Sequence, residues 1–167
     1  MLKSYRKNMQ PALQRNSDLL AQSILDDVDI PFYIHAFMRI NAHGELINDT
    51  HFINIILIAR KNPHCNFALW TKRKDIINRV IKRYSNDHRP PDNLILVYSN
   101  PTINKVMYEP PKHFHKVFNN VEYEHKTEEQ NCTGQQCINC MLCYTHNDVS
   151  VIIEATKLNG RTIKNAN

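Results

Sequence analysis

Four of the chain's five cysteines, Cys132, Cys137, Cys140 and Cys143, fall within twelve residues in the order C-x4-C-x2-C-x2-C. Thiolates are soft, strongly donating ligands, so four on one short segment can complete a metal site without help from elsewhere. Disulfides suit secreted proteins. Here the opening Met1-Leu2-Lys3-Ser4-Tyr5-Arg6-Lys7 has basic residues with no apolar stretch behind them, and the fifth cysteine, Cys65, stands alone in a strand-like run. Free thiols this crowded are prone to oxidation unless something holds them. A metal centre is the better reading.

The spacing bears on which metal. Structural zinc usually takes two C-x2-C knuckles separated by a long spacer, so that two turns reach a small tetrahedron from opposite sides. No spacer exists here. Repeated x2 spacings match the run in bacterial ferredoxins, where one short loop wraps a bulky cubane and each thiolate reaches a different iron. The expectation is a [4Fe-4S] cluster, with Zn2+ as the alternative. Gly134 would let the first loop take positive φ, and Ile138, Met141 and Leu142 could screen the cluster from water.

The elements that must position this loop follow from hydrophobic periodicity. Met9, Leu13, Leu19, Leu20, Ile24 and Leu25 predict an amphipathic helix from about Asn8 to Asp29, broken by Pro31. Phe32 to Asn41 reads as a strand. Asn48-Asp49-Thr50 offers an N-cap for a helix carrying Phe52, Ile53, Ile56, Leu57 and Ile58 up to Asn62-Pro63. A strand at Cys65 to Thr71, a helix over 73–86 and a continuously apolar strand from Leu94 to Tyr98 complete a βαβαβ pattern. Weaker strand signals lie at 117–125 and from Val149 to Thr156, with the cysteine loop between them. The fold class is therefore α/β: a parallel sheet, open or part of a barrel, with a C-terminal cysteine-rich metal-binding loop at 126–148 inside a single domain spanning 1–167.

Ligands of parallel α/β sheets sit beyond the carboxyl ends of the strands. That rule singles out Asn41, His43 and Glu45 after the first strand, Thr71 and Lys72 after the second, and Ser99 and Asn100 after the third. Of these Asn41, His43, Glu45 and Lys72 are the candidates for ligand contact, although most such residues are ordinary loop residues. The layout resembles part of a radical-SAM-type barrel, in which Gly44-Glu45 would stand near the methionine amine; those enzymes use three cysteines, whereas four here would close the cluster. His113 and His115 could share one strand face, yet solvated histidines are the simpler account. His146, three residues past Cys143, could reach a cluster sulfur or replace a cysteine. Trp70 is better explained by core packing than by base stacking.

Composition sets the outer limits. With 167 residues and 42% hydrophobic content the chain can bury one core. No run approaches the roughly 18 apolar residues that cross a bilayer. A soluble, cytoplasmic protein is expected, in the host cytoplasm if phage-encoded, without membrane contact. The charge of +5 is dispersed. Four thiolates with Zn2+ or a [4Fe-4S]2+ core would lower it to roughly +3, so nucleic-acid binding should be weak or absent. The many asparagines read as genome bias, and no repeat or Gly-rich phosphate loop is present.

Met38-Arg39-Ile40-Asn41-Ala42-His43-Gly44-Glu45, Phe67-Ala68-Leu69-Trp70-Thr71-Lys72 and Cys137-Ile-Asn-Cys140-Met-Leu-Cys143-Tyr144 resemble the phage and bacterial gene-product-eighty-eight family over about residues 5 to 155. Members of that family often carry further cysteines ahead of the region matching Lys3-Ser4-Tyr5, so the resemblance implies an N-terminally shortened relative that lacks any second centre. The expected function is a small iron–sulfur protein of phage type with a redox or structural cluster. A zinc-stabilised module binding nucleic acid or a protein partner is the rival. An enzyme with a strand-end active site and the cluster as electron relay is the third reading.

Overall fold

The structure is a computed structural model, and it describes residues 18–41, 44–84, 89–132 and 137–156. Five strands form one sheet in the order β1-β2-β3-β4-β5, every neighbouring pair parallel. They are β1 (Phe37–Ile40), β2 (Asn66–Thr71), β3 (Leu94–Ser99), β4 (Lys116–Glu122) and β5 (Val151–Thr156). Helix α1 (Asp49–Lys61) joins β1 to β2, and α2 (Lys74–Arg83) joins β2 to β3. A single turn, α3 (Cys137–Cys140), lies between β4 and β5. At 13 residues α1 is well short of a bilayer span, and no helix among the described residues is long and apolar enough to cross a membrane.

Strands laid down in sequence order have a consequence. Right-handed crossovers in this order place both crossover helices, α1 and α2, on the same face of the sheet. Phe67 and Leu69 of β2, Leu94, Leu96 and Tyr98 of β3 and Val117 of β4 pack in one core with Phe52, Ile56, Ile76, Ile77 and Val80 of the helices. The alternate residues Ile95, Val97, Phe118 and Ile152 form a second, smaller core on the opposite face. The pleat sends successive side chains to opposite sides, which is why β3 had to be apolar throughout. Cys132, Cys143, Trp70 and Val149 pack against that second core. The cysteine segment thus covers the face the helices leave open.

Helix α1 starts where the sequence expects, with the Asn48 side chain accepting from His51 N at 2.9 Å. The first predicted helix is cut short. Residues 1–17 lie outside the described residues; 18–20 are helical, the chain turns at 21–23, and a 3-10 turn follows at Asp27–Asp29. The cause is Asn54, fully buried on α1, whose amide needs partners. Its Oδ1 accepts from Leu25 N at 2.9 Å, and its Nδ2 donates to Leu20 O and Ser23 O at 2.7 Å. Asn62, one end of α1 away, does the same for Tyr33 N and Pro31 O. These bonds hold 31–36 as an extended segment, so strand pairing covers Phe37–Ile40 and not the whole of 32–41. Helix α2 ends at Arg83, with 85–88 outside the described residues, and β4 ends at Glu122 in a 3-10 turn rather than running to 125.

Asn54→Ala removes both halves of this clamp and strands three backbone groups. Each buried group left unpaired costs about 1–3 kcal/mol. The variant should lose roughly 2–4 kcal/mol of stability in urea unfolding; a loss no larger than the roughly 0.5 kcal/mol expected of an exposed control such as Glu109→Ala would overturn the account.

Candidate metal centre

The cysteine segment is pinned at both ends. Asn131 and Cys132 donate their backbone N–H groups to Ile153 O at 3.3 and 3.0 Å, and Cys132 forms a parallel bridge with Glu154. At the other end Lys116 of β4 reaches across, its Nζ donating to Asn147 Oδ1 and Val149 O at 2.7 Å each. Between these anchors Cys137 and Cys140 sit three residues apart on α3, so both project to one side of the turn. Met141 then adopts φ 59°, the left-handed conformation that ends a helix, with its N–H bonded to Cys137 O at 2.9 Å. This reversal returns Cys143 to the sheet.

All four cysteines, with Met141, Leu142, Tyr144 and Ile152, line one recess. Tyr144 meets Phe37, the first residue of β1, edge to face at 6.2 Å between centroids. Burial pushes the Cys143 thiol up to about 12, and the thiols of Cys132, Cys137 and Cys140 add to the rise while Arg39 opposes it. Cys143 therefore feels every other cysteine of the motif.

Among the described residues no three cysteine sulfurs lie within 4.8 Å of one another. Tetrahedral Zn–S bonds of about 2.3 Å would set the sulfurs about 3.8 Å apart. A cubane, whose irons each take one thiolate, spreads them further. Four soft ligands with an apolar lining are a donor set that would fit a thiolate-held metal centre.

Two cations face the recess. Lys116 is 2% exposed, and among the described residues no carboxylate lies within salt-bridge distance of it. Burial lowers its pKa, and the nearby Cys143 thiol pulls it back up. Arg39 lies over the Trp70 ring at 4.0 Å and interacts electrostatically with Cys143 and Tyr144. Glu154, on the same face, is pushed up by burial and lowered by Arg39. An unpaired buried cation is costly in a low dielectric, and an anionic centre beside it offsets that cost.

The strand-end residues do other work. Glu45 accepts from Leu46 N at 2.8 Å and from the Thr71 hydroxyl through one oxygen, and from Lys72 N at 2.7 Å through the other. Both its oxygens are engaged in tying the β1–α1 loop to the end of β2. Lys72 enters this clamp by its backbone. Asn41 takes φ 59° and its Nδ2 is buried without an acceptor among the described residues, while His43 lies outside them. Asn100 is spent on Lys105 O and Asn119. The histidines also stand apart: His115 Nδ1 accepts from Leu96 N at 2.9 Å, and His146 bonds Asp92 O at 2.8 Å with its ring against that of His115. With that nitrogen committed to Asp92, His146 anchors the exit of the cysteine segment. His113, at φ 70°, precedes β4 and is not on a strand.

Glu122, Glu124 and His125 bring their ligand atoms within 4.8 Å of one another at the end of β4. Glu122 is bonded to Asn104 at 2.9 Å, and exposed acidic groups of this kind gather at strand ends without a metal. Gly134 and the Ile138 side chain fall outside the described residues.

Sequence reasoning missed Arg39 and Lys116. A signal was available: Lys116 opens the strand Lys-Val-Phe-Asn-Asn-Val-Glu and therefore shares a face with the apolar core residue Phe118.

The family model described as gene product 88 matches residues 5–157. No curated protein matches. No solved structure matches.

Proposed function

We propose that this chain, which belongs to the gene product 88 family, is a small iron–sulfur protein that holds a [4Fe-4S] cluster on Cys132, Cys137, Cys140 and Cys143. The observation that supports the reading is the convergence of all four cysteines on one recess, in a spacing that matches the ferredoxin run. When bound, such a cluster exchanges one electron at a time.

The chain's own residues divide the work of holding it. Cys132 is fixed to β5 by its backbone, Cys137 and Cys140 are presented by α3, and Cys143 is brought in by the Met141 reversal. Met141, Leu142 and Ile152 exclude water from the recess. Lys116 and Arg39 supply positive charge against the four thiolates.

The test is anaerobic purification of the full chain, with iron, sulfide and zinc counted per chain and a visible absorption spectrum recorded. The expected result is about four irons and about four sulfides per chain with a broad charge-transfer band. About one zinc per chain with no visible band would replace this reading with the zinc-stabilised module.

A further inference from the structure

Trp70 is the chain's only tryptophan. It stands on the cysteine-covered face, packed with Cys132 and Cys143 around Ile95, Val97, Phe118 and Ile152. Phe118 lies 4.3 Å from its ring centroid, and the Arg39 guanidinium is 4.0 Å from it. Its indole N–H is buried and has no acceptor among the described residues. A buried donor without a partner is rare in a settled core, and the neighbours in this one include two of the four cysteine sulfurs. Lys116 repeats the pattern with charge: a buried ammonium whose acceptors, Asn147 and Val149, are neutral. Arg39, for its part, makes no salt bridge among the described residues.

We infer that Trp70, Lys116 and Arg39 form a donor and cation shell that raises the reduction potential of the centre, making it an electron acceptor and not only a structural staple. The inference rests on the cluster reading above. A cluster with four thiolates goes from about −2 to about −3 when it takes one electron from a one-electron reductant. Positive charge and N–H donors beside it stabilise the reduced form more than the oxidised one. Glu154, the carboxylate on the same face, acts in the opposite sense.

The experiment uses the full chain loaded anaerobically with ferrous iron and sulfide, then poised with dithionite at a potential that leaves the wild type half reduced. In Trp70→Phe, which keeps the ring but removes the N–H, and in Arg39→Gln, the ratio of reduced to oxidised cluster should fall about threefold to tenfold. Lys116→Met should fall at least as far, and Glu154→Gln should rise. Arg39→Lys, keeping the charge, should recover most of the Arg39→Gln loss. Loading should also quench indole emission several-fold, with recovery on chelation, because the single tryptophan packs on the same small core as Cys132 and Cys143.

Wild-type ratios in Trp70→Phe and Arg39→Gln at wild-type iron content would overturn the inference while leaving the cluster reading intact. Unquenched emission in iron-loaded protein would overturn the placement of Trp70. If Lys116→Met does not fold, the other two variants carry the test. Metal analysis that finds zinc alone overturns the cluster reading itself, and this inference with it.

Discussion

Cys140→Ser should strip most of the metal from the chain, while Cys65→Ser leaves metal content unchanged. Both residues are cysteines with thiols protected in part by the fold, so the contrast isolates position. Cys140 lines the recess from the end of α3, three residues from Cys137 and three from Cys143. A serine hydroxyl is a harder and far less acidic donor than a thiol, and one iron would lose its protein ligand. Changes that only reorient ligands already cost about 10- to 100-fold in metal affinity, so loss of a ligand should cost at least that. Cys65 is fully buried in the helix-side core, with its thiol raised by burial, across the sheet from the recess. Its replacement should lower stability without touching the centre. Cys140 is the better test than Cys143 because Cys143 packs against the second core of the sheet, so its substitution would also disturb packing. Unchanged iron in Cys140→Ser would remove the four-cysteine assignment.

The elements from β1 to β3 were legible because each is long, strongly periodic and bounded by turn residues. Asn48 at the start of α1 and the alternation in β2 needed nothing beyond local chemistry. The first helix was not legible past residue 20. Its apolar spacing is real, but Asn54 lies 31 to 34 residues away from the carbonyls it binds, a separation that no window of local sequence contains. The asparagines taken as codon bias proved to be the main side-chain ties of the fold: Asn93 alone donates to Ala59, Asn62 and Cys65 carbonyls at 2.8–3.0 Å.

The cysteine motif was readable from spacing alone, yet its location was not. The strand-end rule pointed to Asn41, Glu45 and Lys72. The recess lies instead on the face opposite the helices, with Tyr144 against the first residue of β1 and Val149 bonded to the first residue of β4. Sequential strand order is what puts both crossover helices on the other face, and order is a property of the assembled sheet. The cations Arg39 and Lys116 join the site for the same reason: only the sheet register places them on one side with Trp70.

Metal loss should release the cysteine segment and spare the rest. Hydrogen exchange on loaded and metal-free protein, kept reduced, checks this residue by residue. The helix-side core is built from α1, α2 and the inner face of the strands, and none of Cys132, Cys137, Cys140 or Cys143 belongs to it. It is large enough to persist, unlike small metal-dependent modules that unfold outright when chelated. Strand β5 should also hold. It pairs with β4 over six consecutive residues, and Ile152 and Ile153 are both buried, so its ties to the sheet do not run through the cysteines. Between these two strands the described residues of 123–148 carry the single-turn α3, a 3-10 turn, a few backbone bonds to β5 and side-chain ties at Asn131, His146 and Asn147. Without metal the amides of this segment should exchange within about tenfold of the unfolded-chain rate, as poorly packed segments do. The Asn131 and Cys132 amides, bonded to Ile153 O, should be the slowest of that group. Lys116 should then lose Asn147 and Val149 as partners and turn to water, which lets the sheet tolerate the loss. Protection that vanishes throughout 50–98 in the metal-free protein would mean that the centre organises the whole domain, and the separation of scaffold from cysteine segment would be wrong.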